Sequence, residues 1–190
     1  MLDSLVIKKF TNYLELIRFN KPIGFLLLMW PCWFGLSILD LEIKTLISWL
    51  IIFFLGSFFM RSAGCIINDI VDRKIDKSIQ RTQLRPLASN KVSIVEAFLL
   101  LFFFLLLGLI VLLQFNLYSI ILGLFSMPLV IIYPFMKRII FWPQVFLGLT
   151  FSWGILIVST QFNQSITFQF ILLYIACVTW TLGYDTIYAY

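Results

Sequence analysis

Six apolar segments dominate the chain, at roughly Pro22 to Leu39, Leu46 to Ile67, Ser93 to Leu113, Tyr118 to Phe135, Pro143 to Ser159 and Thr167 to Gly183. Each is long enough, or nearly so, to cross a hydrocarbon layer of about 30 Å as a helix, the form in which a single segment satisfies its own backbone hydrogen bonds in lipid. In the third segment the run F-L-L-L-F-F-F-L-L-L-G-L-I carries nothing polar. With 62% apolar residues and a mean hydropathy of +1.02, the chain lies outside the range of soluble globular proteins. The expected fold class is all-α, a polytopic transmembrane helical bundle forming one membrane-embedded domain over residues 1–190.

The opening residues, M-L-D-S-L-V-I-K-K-F-T-N-Y-L-E-L-I-R-F-N-K, do not read as a cleavable leader, because charge recurs at Glu15, Arg18 and Lys21. Residues 1–21 read instead as an amphipathic helix on the membrane surface. Basic residues assign the sides. The N-terminus holds four, the connection after the second span six more from Arg73 to Lys91, and the connection after the fourth span Lys137 and Arg138, while the alternate side has only Lys44. The positive-inside bias places the N-terminus and the charged connection in the cytoplasm, as expected for a multi-pass protein of a bacterial inner membrane. The net charge of +5 reports that topology and contact with anionic lipids, and there is no soluble surface on which to argue for nucleic-acid binding. Cys32, Cys65 and Cys177 all fall inside spans and read as small buried apolar residues.

Charge is concentrated between Arg61 and Lys91, where three of the nine acidic and seven of the fourteen basic residues lie. If the segment beginning near Gly64 is helical, Asn68, Asp72 and Asp76 recur every four residues, about 6 Å apart along the axis and on one face. Asp69, Asp72 and Asp76 share a face equally well, so periodicity leaves open which of Asn68 and Asp69 belongs to the stripe. Two readings of the stripe are open. It is a solvated connection whose acids and bases pair weakly in water, or its hard oxygen ligands collect Mg²⁺ and, with Arg73, Lys74, Arg81 and Arg85, a polyanion such as diphosphate. The chain contains no histidine, which excludes histidine-ligated zinc or haem and Ser-His-Asp or Cys-His nucleophiles. Residues 68–92 are thus expected to form a cytoplasmic charged motif followed by a loop, or a short helix, able to fold over the site.

Other polar residues converge on the same level. Arg61 precedes Asn68 by two helical turns and would share its face; at membrane depth it costs about 3 kcal/mol unless it snorkels or faces a polar cavity. Tyr133 and Lys137 stand four apart at the cytoplasmic end of the fourth span, where an interfacial aromatic and a snorkelling base are the alternative reading. Asp185, the only acid after Glu96, lies just beyond Gly183 in W-T-L-G-Y-D-T-I-Y-A-Y. Gly24, following Pro22 at the start of the first span, offers close backbone approach, and Pro31 inside that span reads as a packing kink.

Taken together, N-K-P-I-G at 20–24, L-L-L-M-W-P at 26–31, M-R-S-A-G-C-I-I-N-D at 60–69 with D-R-K-I-D at 72–76, R-T-Q-L-R-P-L at 81–87, Y-P-F-M-K-R at 133–138, P-Q-V at 143–145 and Y-D-T-I-Y-A at 184–189 give a chain that resembles the UbiA superfamily of intramembrane aromatic prenyltransferases. The resemblance is nearest to members that act on 4-hydroxybenzoate in ubiquinone biosynthesis. It implies a helical membrane fold with a cytoplasm-facing cavity. It further implies Mg²⁺-dependent transfer of a polyprenyl group from a polyprenyl diphosphate to an aromatic acid. By the same resemblance Asn68, Asp72 and Asp76 would hold Mg²⁺, Arg81 and Lys137 would contact diphosphate, Tyr133 would line the reacting centre, and Arg61 would sit by the acceptor. Asp69 would be less central.

The departure from the family pattern lies at the end of the sequence. Family members have about nine spans and a D-x-x-D-D segment shortly after Y-D-T-x-Y-A, whereas this sequence stops at Tyr190. The expectations are therefore an enzyme whose remainder is encoded separately or not included in this sequence, or an inactive remnant. A carrier or ion channel is a further rival, weakened by the absence of ionisable residues in mid-span. Purified on its own, the 190-residue chain is expected to transfer little or no radiolabelled prenyl group; ready turnover would overturn that expectation.

Overall fold

The computed structural model describes residues 2–139 and 141–188; for residues 2–6, 133–135, 137, 138 and 188 it describes the backbone alone. All regular structure among them is helical: α1 (Leu2–Leu16), α2 (Ile23–Ser37), α3 (Ile43–Asp76), α4 (Ile94–Leu112), α5 (Leu117–Ile139), α6 (Pro143–Asn163) and α7 (Phe168–Tyr188). Helices α2 to α7 correspond one for one to the six apolar segments. Four of them, α3, α4, α6 and α7, are long and apolar enough to cross a membrane, while α2 and the apolar part of α5 are shorter. The short α2 is bounded by Pro22 on one side and by the turn before α3 on the other.

Helix α3 is the axis of the molecule. Its 34 residues span about 51 Å, so roughly 20 Å must project beyond a hydrocarbon layer. The projecting end carries Asn68 to Asp76, and the helix runs through them without a break, the condition on which the stripe argument rests. Residues 77–92 then fold back as a series of turns. Leu87 and Val92 are fully buried against Leu16, Ile17, Ala63, Ile66, Ala97 and Phe104, so this connection is a packed part of the fold. A second apolar cluster, of Cys32, Leu36, Phe53, Val111, Phe115, Ile155, Val158 and Phe170, fills the opposite end.

Apolar burial gives little net attraction between helices in lipid, so polar tips and close backbones carry much of the specificity. Trp33 donates from Nε1 to the Leu50 carbonyl on α3, Trp153 to the Leu122 carbonyl on α5, and the Tyr174 hydroxyl to the Leu149 carbonyl on α6, all at 3.0–3.1 Å. Gly148 lets α6 and α7 touch, for a Cβ there would lie 3.0 Å from the Val178 carbonyl oxygen. Helix α6 consequently packs against α2, α5 and α7, and α3 against α2 and α4.

Helix α1 is tied to the start of α4 through Glu96. Lys9 pairs with Glu96 and the Tyr13 hydroxyl donates to it at 2.9 Å. Glu96 also closes a capping box with Ser93 that starts α4. The bond to Glu96 raises the Lys9 pKa above the usual lysine range. A raised folded-state value means that this contact is intact below the ordinary lysine pKa, and on the alkaline side loosens only as pH rises through the higher value.

At the opposite end the α4–α5 turn is clasped to α6. The Asn116 side chain donates to the carbonyls of Thr160 and Gln161 at 2.8 and 3.0 Å, its Oδ1 accepts from the Ser119 amide, and its own amide donates to Gln161 Oε1. Asn116→Ala removes both side-chain donors and should cost about 1–3 kcal/mol. The check is a lowered unfolding midpoint in detergent, with no effect on any ligand bound at the charged end.

Candidate active site

The C-terminal part of α3 sorts its side chains by a helical rotation of about 100° per residue. Asn68 turns into a cavity of about 800 Å³, whereas Asp69, one residue on, is 1% exposed and turns away to the segment between α1 and α2. Packing thus separates Asn68, which lines the cavity, from Asp69, which does not. Asp69 Oδ1 accepts from Arg18 at 2.7 Å and lies 3.4 Å from Arg85, and Arg85 donates to Asp76 Oδ2 at 2.8 Å. Two acids and two bases, drawn from α3, the α1–α2 turn and the 77–92 connection, form one neutral cluster. Arg18 adopts φ of 60°, a left-handed conformation that is unfavourable for a residue with a side chain, and its ion pair holds it there.

Arg18 and Arg85 also line the cavity, together with Lys21, Arg61, Asn68, Tyr184 and Asp185 at its charged end. Below that rim the lining is apolar, with Leu109 and Leu112 of α4 and Leu124, Met127 and Val130 of α5 facing Phe53 and Phe151. One space therefore offers cations and oxygen donors at one end and hydrocarbon along its length. Arg61 reaches it from α3, its Cζ 5.4 Å from the centre of the Phe151 ring. That answers the sequence alternative of snorkelling, because the guanidinium is directed into the bundle.

The residues singled out in the sequence divide accordingly. Arg61, Asn68, Arg85 and Asp185 line the cavity. Asp72 is half-buried on α3, Asp76 is 5% exposed and engaged by Arg85, and Arg81 is exposed on the 77–92 connection, none of the three among the cavity-lining residues. Tyr133 and Lys137 lie on α5, with side chains outside the described residues. Arg18 and Lys21 are the cavity residues that sequence reasoning missed, having been counted only as topological charge. Their nearness to N-K-P-I-G was the available signal.

Among the described residues no three of Asp, Glu, His or Cys gather closely enough to cage a metal. Magnesium does not require such a cage, since it commonly takes one or two carboxylates, keeps several waters and completes its shell with substrate phosphate. The oxygen donors Asn68 and Asp185, which line the cavity together with cations able to hold phosphate, fit that mode.

An all-helical fold with apolar helices long enough to cross a membrane, around a cavity that sets charged side chains beside an apolar lining, defines an integral membrane protein. The chain belongs to the UbiA prenyltransferase family, whose model matches residues 28–190. It is 44% identical over 177 residues to the 4-hydroxybenzoate octaprenyltransferase of Legionella pneumophila (strain Paris), covering 93% of this chain and 62% of that protein. It is likewise 44% identical over 191 residues to the mitochondrial 4-hydroxybenzoate polyprenyltransferase of Arabidopsis thaliana, covering 100% of this chain and 47% of the relative. The fold is shared with a UbiA homolog from Aeropyrum pernix K1, with a TM-score of 0.70 at 23% identity over 87% of this chain and 62% of that one. The chain spans about half to three-fifths of the length of these curated relatives.

Removing Asp69 strips Arg18 of its carboxylate partner and leaves Arg85 with Asp76 alone. Asp69→Ala should therefore destabilise the charged end by about 3 kcal/mol, the low end for breaking a buried pair because both arginines keep partial contact with solvent. Faster hydrogen exchange in residues 77–92 and the α1–α2 turn, with the Asn116 clasp unaffected, is the expected signature.

Proposed function

We propose that this chain carries the Mg²⁺-dependent site that transfers a polyprenyl group from polyprenyl diphosphate to an aromatic acid, with 4-hydroxybenzoate as the acceptor. The observation that carries the reading is the cavity itself, which juxtaposes four cationic side chains and three polar ones, Asn68, Tyr184 and Asp185, with a long apolar lining. A polyprenyl diphosphate has the matching form, a charged head on a hydrocarbon tail. The relatives described above, named for 4-hydroxybenzoate, supply the acceptor.

In this reading Asn68, Asp72 and Asp76 hold magnesium, and Asp185 of α7 lines the same cavity as Asn68. Magnesium, when bound, supplies charge neutralisation to the departing diphosphate. Arg18, Lys21 and Arg85 orient the diphosphate from the rim, and Arg81 and Lys137 are proposed to join them. Arg85 already holds Asp76, so phosphate entering the rim would draw on Arg85 and free a carboxylate. The allylic C1–O bond breaks, the ring carbon beside the phenol oxygen bonds to C1, and that carbon loses its proton. Tyr133 lines the reacting centre, Arg61 receives the acceptor carboxylate, and the apolar walls exclude water from the allylic cation. The protein sits in a bacterial inner membrane with its N-terminus and site facing the cytoplasm.

The reading is tested by retention of radiolabelled geranyl diphosphate on the purified chain. Binding should disappear with EDTA, return with Mg²⁺, and weaken at least about tenfold in Asp72→Asn. Retention indifferent to EDTA overturns the magnesium role, and divalent-ion flux in vesicles without any retention would favour a carrier.

A further inference from the structure

Arg61 is the one cavity cation whose placement depends on an absence. Gly24, in the first turn of α2, stands beside it so closely that a Cβ would lie 2.6 Å from Arg61 Nε, 2.9 Å from Nη2 and 3.2 Å from Cζ. Phe151 of α6 carries the guanidinium at 5.4 Å from its ring centre. Arg61 Nε is buried and has no hydrogen-bond partner among the described residues, and Arg61 enters none of the ion pairs formed there. A desolvated donor without a protein acceptor is unfavourable in a folded protein, so Arg61 has hydrogen-bonding capacity that the described residues do not use.

We propose that Gly24 and Phe151 are positioning residues that fix Arg61 for a planar carboxylate, and that Gly24 thereby sets the preference of the cavity for an anionic aromatic acceptor over a neutral one. The chemistry follows from the guanidinium. It is planar, cannot lose its proton, and presents paired N–H groups whose geometry matches a carboxylate. Any side chain at position 24 must displace those same two nitrogens, and it does so rigidly, because residue 24 is held in a helix. Without the Phe151 ring the guanidinium loses its other boundary and can turn toward the rim, where Asn68 and Asp185 lie in the same cavity. The apolar body of the acceptor ring meets the surrounding hydrocarbon in either orientation, so only the anionic group reads the alignment.

The inference rests on the acceptor reading above, and the two separate cleanly by experiment. The purified chain is titrated with radiolabelled 4-hydroxybenzoate, with its neutral analogue 4-hydroxybenzamide, and with geranyl diphosphate in the presence of Mg²⁺. Gly24→Ala should weaken 4-hydroxybenzoate at least about tenfold while changing 4-hydroxybenzamide and geranyl diphosphate less than about twofold, because a lost charge-assisted pair is felt by the anion alone. Phe151→Leu should lower the benzoate-to-benzamide ratio in the same direction, and it serves alone if Gly24→Ala does not fold. General damage would weaken all three ligands together and would overturn the positioning role. Arg61→Ala that loses 4-hydroxybenzoate beside Gly24→Ala and Phe151→Leu that keep it also overturns that role, leaving the acceptor reading intact. An unaltered chain that ignores 4-hydroxybenzoate, or Arg61→Ala that still prefers it over the amide, overturns both.

Discussion

The carboxylate of Asp69 is the constraint around which the charged end is assembled. A buried carboxylate is tolerated only when cations reach it, and here they come from two separate parts of the chain, Arg18 from before α2 and Arg85 from the connection after α3. Satisfying one side chain therefore brings three segments together. It also brings to the cavity rim the same two arginines that neutralise it, since both appear in the cavity lining. The cluster is electrically balanced by Asp76, so it adds donors to the rim without leaving an excess charge buried behind it.

The second constraint is length. A helix of 34 residues cannot be contained in a hydrocarbon layer of about 30 Å, and α3 emerges carrying the acidic motif on the same rigid rod that crosses the membrane. Arg61 sits on that rod two turns below Asn68, so the spacing between a deep cation and the polar rim is set by helix geometry. The packed connection of residues 77–92 then braces the projecting turns. Arg73 donates to the Leu87 carbonyl at 3.3 Å and to Asn90 Oδ1 at 3.0 Å, while Leu87 and Val92 fill the cluster beneath.

The spans were legible because hydropathy dominates the chain, and lipid excludes the unpaired backbone that a long apolar run would expose in any form but a helix or a closed barrel. The correspondence of α2 to α7 with the six apolar runs follows from that exclusion. The continuity of α3 through Asp76 was a condition of the shared face of Asn68, Asp72 and Asp76 rather than a consequence of their spacing, and α3 meets it. The division of labour within the motif was not legible. Asn68 and Asp69 are each compatible with the stripe on periodicity, and what separates them is the position of Arg18, a contact across 51 residues that no local pattern encodes. For the same reason Arg18 and Lys21 looked like topological charge. Their role at the cavity depends on a turn with a left-handed Arg18, a position where sequence habit would look for glycine.

The cavity's two ends make opposite demands, and the arrangement of α1 reconciles them. An apolar tail is best placed between helices, but a diphosphate cannot be drawn into hydrocarbon without cations that are themselves costly there. Placing Arg18 and Lys21 on the turn that leaves α1 supplies those cations from outside the spans. Lys9 and Tyr13 tie α1 to the first turn of α4 through Glu96, and Arg18 ties its far end to α3. The rim is then held at a fixed height against the two helices that form the apolar wall and the acidic rod. In the proposed reading, a ligand whose head rests on this rim runs its tail along α4 and α5, and Arg61, two turns from Asn68 on α3, meets the carboxylate of the acceptor.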